Sequence, residues 1–180
     1  MNESFEFTDP DHVVPAAIGQ PGARVFSIQI YVAGDVTVLK CEKQQMAALA
    51  EHLQGVLRDL PPADAVRLAP PVDLEPAWAV GVLGLAYDSD LDRVVVMAQE
   101  VQLLVEPDDA DDPDAEPVAV PADADTATAR LAMTRGQVVA FIEAATTLVV
   151  GGRPPCPICG QPLDPEGHVC PRSNGHAKHG

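Results

Sequence analysis

The stretch from Arg24 to Leu60, RVFSIQIYVAGDVTVLKCEKQQMAALAEHLQGVLRDL, decides the fold class because its apolar period changes part-way along. Phe26, Ile28, Ile30 and Val32 alternate with Ser27, Gln29 and Tyr31, the period of two that gives a strand one buried face. Gly34-Asp35 is a turn signal and Val36 to Cys41 is a second β-rich run, so the pair predicts a hairpin. From about Lys43 to Leu60 the spacing lengthens. Met46, Leu49, Ala50, Leu53, Val56, Leu57 and Leu60 form one continuous stripe at helical offsets, which predicts an amphipathic helix stopped by Pro61-Pro62. Cys41 reads as a small buried apolar residue, and His52, on the edge of the stripe, as a solvated or structurally bonded histidine.

The same offsets recur further along. Val138, Phe141, Ile142, Ala145, Leu148 and Val149 repeat the spacing of Met46, Leu49, Ala50, Leu53, Val56 and Leu57 at a constant shift of 92, which also sets Leu39 on Leu131, Cys41 on Met133 and Gln45 on Gln137. This predicts two copies of a hairpin-then-helix unit; the competing explanation is that any two amphipathic helices share a stripe. Leu131-Ala132-Met133 reads as a short strand, Thr134 to Gln137 as a capping box, and Gly151-Gly152 as the end of the second helix. Trp78 to Tyr87, a turn at Asp88-Ser89-Asp90, and a return from Asp92 through Met97 toward Val105 predict a further hairpin. In it Gly81 and Gly84 read as bulges or close-packing points. Phe5-Glu6-Phe7 reads as a short edge strand. The rest of residues 1–22, punctuated by Pro10, Pro15, Gly19, Pro21 and Gly22, reads as a loop, as does the five-proline stretch 61–76.

Residues 1–150 are therefore expected to form one α+β domain of antiparallel hairpins with two amphipathic helices. It carries an acidic insertion at about 106–125, where nine acids and four prolines occur with no Lys or Arg. Such a composition cannot bury a core, so a mobile solvated loop is expected there ahead of a docking surface.

Residues 151–180 are a different kind of chain. They hold three of the four cysteines and three of the five histidines. Cys156 and Cys159 form a C-x2-C knuckle with Gly160 directly behind, a turn that lets two thiolates grip one ion. His168 and Cys170, two apart, project to one side of an extended segment and would complete a tetrahedral zinc site. Closure by Cys170 with His176 is the alternative, and it must fold five intervening residues, Pro171 and Gly175 among them, back onto the metal. Prolines and glycines leave too few apolar side chains for a core, so a structural zinc is expected to hold the segment as a zinc-ribbon-like knuckle and tail. A disulfide-bearing tail and a thioredoxin-like redox pair fit less well. The acidic, polar opening Met1-Asn2-Glu3-Ser4 carries no export signal, so a reducing cytoplasm is expected, and a redox pair belongs at a strand-to-helix junction.

Charge narrows the partners. With 27 acidic and 11 basic residues the formal charge is -16, which repels phosphate backbones and anionic membranes and favours a basic protein partner over nucleic acid. No apolar run approaches the roughly 20 residues that span a bilayer.

Three stretches carry a family resemblance. Leu39 to Leu49 (LKCEKQQMAAL), Trp78 with Tyr87 to Met97 (YDSDLDRVVVM), and Cys156 to Cys159 with Gly167 to Gly175 (GHVCPRSNG) resemble an uncharacterised actinobacterial domain-of-unknown-function family. The resemblance would cover nearly the whole chain and implies a C-terminal zinc knuckle. It also implies gene neighbours that resemble histidine phosphatases and phosphatidylinositol kinases. In similar sequences the position of His176 is often aromatic, which favours His168 as ligand. The resemblance brings no reaction with it.

Three functional readings follow. The first is a cytoplasmic zinc-binding interaction or adaptor protein, with no nucleophile–base pair or carboxylate pair in the sequence that would make it an enzyme. The second is a metal-dependent enzyme acting on a phosphorylated metabolite. The third and weakest is nucleic-acid binding through the knuckle, whose cations are Arg153, Arg172 and Lys178.

Overall fold

A computed structural model describes residues 3–20, 22–101, 126–151 and 158. In chain order the elements are β1 (Phe5–Phe7), β2 (His12–Ile18), β3 (Val25–Val32), β4 (Asp35–Cys41), α1 (Lys43–Arg58), β5 (Trp78–Asp88), β6 (Arg93–Glu100), β7 (Thr128–Met133) and α2 (Arg135–Val150). The strands form one sheet in the order β1-β7-β6-β5-β4-β3-β2. Neighbours are antiparallel except for β4 with β5 and β7 with β1. The expected α+β class is what is observed. Among the described residues no helix is long and apolar enough to cross a membrane.

The change of period at Cys41 becomes the change from strand to helix. Ala33 and Gly34 both have positive φ, at 51° and 95°, and make the two-residue turn between β3 and β4, so Val32 pairs with Asp35. The turn thus lies one residue earlier than Gly34-Asp35. The expected loop over residues 1–22 is overturned in part, because His12–Ile18 is a strand. Pro15 is tolerated there because β2 is an edge strand that bonds only to β3, so the missing N–H can face away from the ladder.

The sheet's two edge strands are consecutive in sequence. Phe7 and His12 are five steps apart, at most about 18 Å of chain, whereas the outer strands of a flat seven-stranded sheet lie about 29 Å apart. The sheet must therefore curl. Its concave face supplies Val13, Phe26, Ile28, Ile30, Leu39, Val80, Val94, Val96, Leu131 and Met133 to one core with Met46, Leu49 and Leu53 of α1 and Val138, Phe141 and Ala145 of α2. The Trp78 indole N–H donates across to the Glu3 carbonyl at 3.0 Å.

The predicted repeat is visible in the architecture, with a larger unit than a hairpin. β2-β3-β4-α1 and β5-β6-β7-α2 are each a three-stranded meander followed by a helix. The helices keep the shift to the residue, Lys43–Arg58 against Arg135–Val150. Ladder partners extend the correspondence. Gln29 pairs with Val38 as Met97 pairs with Arg130, and Val14 pairs with Gln29 as Gly84 pairs with Met97. Leu39 meets Trp78 in parallel as Leu131 meets Phe7, so β1 and β2 together stand where β5 stands in the second unit. β5 stays whole by means of a bulge at Gly81, where a Cβ would come within 2.8 Å of the Val101 Cα.

Candidate functional site

Each helix opens on the same device. Gln45 Oε1 accepts the Glu42 N–H at 2.7 Å, and Gln137 Oε1 accepts the Thr134 N–H at 2.8 Å. The amide nitrogens then bind the other unit. Gln45 Nε2 donates to the Val80 and Gly81 carbonyls, both at 3.0 Å, and Gln137 Nε2 to those of Pro10 and Asp11, at 2.7 and 3.3 Å. The capping box at Thr134 is as expected; its partner at Glu42 has no Ser or Thr to announce it. The two glutamines tie the units together.

On the convex side, the connection from α1 to β5 crosses the first meander like a strap. The Gln29 amide takes both backbone groups of Val72, donating to its carbonyl at 2.7 Å and accepting from its N–H at 2.9 Å. The Tyr31 hydroxyl donates to the Pro70 carbonyl at 2.7 Å. Gln29 is fully buried under this strap. A cleft of about 390 Å³ opens beside it, walled by Ile18, Val25 and Val38, with Ser27 and Gln29 at its floor and Asp73 and Glu75 on the strap. Its size is that of a small-ligand site, though both ends of the Gln29 amide are already engaged.

A second cluster has no counterpart in the first unit. Asp92, at φ 50°, accepts from Arg135 Nε and Nη2 at 3.1 and 2.9 Å and from the Tyr87 hydroxyl at 2.8 Å. The Arg135 hydrogen bonds, ahead of that from Tyr87, hold the Asp92 carboxyl below its ordinary pKa; the bond to Asp92 pushes the Tyr87 phenol up. Arg135 Nη1 also donates to the Pro61 carbonyl at 2.6 Å. Its donors are thus engaged in joining the β5–β6 turn, the start of α2 and the start of the strap, which is a structural clamp.

Cys41 and His52 behave as read. The Cys41 thiol is buried in the core, and burial, then the Glu42 charge, push its pKa up to about 12, so it is no thiolate at neutral pH. His52 Nδ1 lies 2.6 Å from the Ala48 carbonyl one turn back and must be the donor there. Among the described residues no group of three His, Cys, Asp or Glu side chains could hold a metal ion. Cys156, Cys159, His168, Cys170 and His176 lie outside the described residues, as does the acidic stretch 106–125.

A family model described as a protein of unknown function, DUF3090, matches residues 5–170. The chain belongs to the DUF3090 family. No curated protein and no solved structure matches it. The DUF3090 match begins at the first residue of β1 and ends on Cys170, so it takes in both units and the first twenty residues beyond α2. All four of Cys156, Cys159, His168 and Cys170 fall inside it; His176 does not. Sequence reasoning missed the strap and its anchor. The one available signal was Gln29, a polar residue mid-way along a strongly apolar strand.

Proposed function

We propose that this DUF3090 chain is a protein-interaction module, a two-unit α+β body with a structural zinc in the segment after α2, working in the cytoplasm on a basic protein partner. The observation that carries the reading is the spacing of Cys156, Cys159, His168 and Cys170 within the family-matched residues. Three thiolates and one imidazole complete a tetrahedral zinc shell without an open position, the arrangement of a structural site. The charge of -16 supports a basic protein surface as the complement and disfavours nucleic acid.

Metal content is the first test. Protein purified without added metal should carry about one zinc per chain, and His168→Ala should lower zinc affinity about tenfold or more while His176→Ala changes it little. Iron in place of zinc, or a trace of metal only, would sink the reading. A fifth, exchangeable ligand at the ion would turn it toward the metal-dependent enzyme. Partner capture from the native cell should then depend on zinc loading, with Cys159→Ser losing the partner that the unaltered chain retains.

A further inference from the structure

The cleft beside the strap holds a polar group that the fold does not use. Gln29 on its floor is committed to Val72. Ser27, two residues earlier on the same strand face, is only 4% exposed and lines the cleft, and its hydroxyl has no hydrogen-bond partner among the described residues. A buried hydroxyl without a protein partner is left for whatever enters the cleft to satisfy. The second unit has no such group. Ser27 pairs with Lys40 as Val95 pairs with Ala132, and Val95 and Ala132 are both apolar and buried.

Two carboxylates join this hydroxyl. Asp73 and Glu75 stand two apart on the strap and both line the cleft, and neither makes an ion pair among the described residues. Lys40, exposed on Ser27's side of the sheet, is within ion-pair distance of neither, so the rim keeps an excess of negative charge. We propose that the cleft receives a lysine side chain of the basic protein partner. Its methylene stem lies against Ile18, Val25 and Val38, its ammonium donates to Ser27 Oγ, and Asp73 and Glu75 supply the opposite charge. The proposal takes the basic partner from the reading above and is independent of the zinc.

Chemistry selects both the cation and its source. An ammonium is a compact charge on a flexible apolar stem, which suits apolar walls around one hydroxyl; a guanidinium would bring five donors in a rigid plane to a floor with one free side-chain acceptor. A lysine within a protein also brings flanking residues. Leu74, 52% exposed on the strap beside the carboxylates, offers them an apolar contact that a free amine would leave unused.

Amide NMR titration of the full chain with the blocked peptide alanyl-lysyl-alanine provides the test. The peptide should shift Ser27, Val38 and Leu74 to saturation, and its Nε-acetylated form should bind at least about tenfold more weakly, because acetylation removes the charge. Ser27→Ala should weaken binding about threefold or more, and Asp73→Asn with Glu75→Gln by a similar factor, as for one neutral hydrogen bond and two screened ion pairs. These side chains make no hydrogen bond or ion pair among the described residues, so both variants should keep the fold, with unmoved Leu49 and Phe141 signals as the check. Should a variant fail that check, the acetylated peptide on the unaltered chain still decides. Shifts of equal size at Glu51 and Asp90, outside the cleft, would show attraction to the net charge alone and overturn the proposal. So would n-butylammonium binding as tightly as the peptide, which would make the cleft a free-amine site, or equal binding of the arginine peptide. A native partner captured in full by the Asp73→Asn, Glu75→Gln chain would likewise overturn it while leaving the interaction reading intact. Peptide binding as expected with no partner captured would overturn that reading and leave the lysine site standing.

Discussion

On the first unit a strap is held over the convex face by hydrogen bonds: Gln29, buried, grips both backbone groups of Val72 and Tyr31 holds Pro70. On the second, the equivalent position is Met97 with nearly half its surface exposed. Their inner faces differ far less, since both helices present the same stripe to one core. The lesson is that in a repeated fold the shared interior is constrained by packing, while the outer faces are free to diverge, and specific roles are to be sought where equivalent positions have parted. The clamp of Tyr87, Asp92 and Arg135 is a second such place, matched in the first unit by Ala17, Arg24 and Lys43.

The comparison breaks first at the core. Because Phe141 and its counterpart Leu49 lie in one continuous cluster, Phe141→Ala should cost about 3–5 kcal/mol and Leu49→Ala about 2–5 kcal/mol, each lowering a single unfolding transition. Denaturant unfolding followed by far-UV signal checks this. Two separated transitions in either variant would show that the units fold independently.

The outer faces should separate by a smaller margin. Gln29→Ala leaves the Val72 N–H and carbonyl without their buried partner and should cost about 1–3 kcal/mol, against less than about 1 kcal/mol for Met97→Ala. A Met97 cost as large as that of Gln29 would mean that its face is covered as firmly as the first.

The clamp gives a smaller effect with a definite sign. Asp92 has its pKa lowered in the folded chain, so its contribution is fully present above the ordinary carboxylate range of about 4 and fades as pH falls below it. The Asp92 side chain is 47% exposed, so solvent screens the pair and the loss should be modest. Arg135→Met should return the Asp92 pKa, read by carboxyl carbon NMR titration, toward its ordinary value. An unmoved titration would show that Tyr87 or the turn itself is the cause.

The smallest effect is expected where the units differ most in chain length. A two-residue turn joins β3 to β4, while 27 residues join β6 to β7 at the equivalent place. Deleting Asp108 to Asp123 changes closure entropy by only about 0.8 kcal/mol, so unfolding free energy should stay within about 1 kcal/mol. A larger fall in a urea titration would show that the acidic stretch packs against the body.

Much of the fold was legible because period is a local property. Alternation over Phe26 to Val32 and the stripe from Met46 to Leu57 each state which side of an element is apolar, and the recurrence at a shift of 92 carried the repeat without any structure. β2 was not legible, since Pro15 counts against a strand unless the strand is known to lie at an edge, and edge position is a property of the whole sheet. The candidate zinc ligands were legible from spacing alone, because ligand chemistry depends on residue type and a few steps of chain.

By itself, then, the sequence determined the element types apart from β2, the repeated helical stripe and the candidate ligand set, all of which are read from residue type and spacing along the chain. Tertiary structure alone decided that Phe7 and His12 sit on opposite edges of one curled sheet, that Gln29 anchors Val72 and Tyr31 anchors Pro70, and that Gln45 and Gln137 reach across to each other's unit. These pairings join positions up to 127 residues apart, and a polar side chain carries no local mark of the distant backbone group it will satisfy.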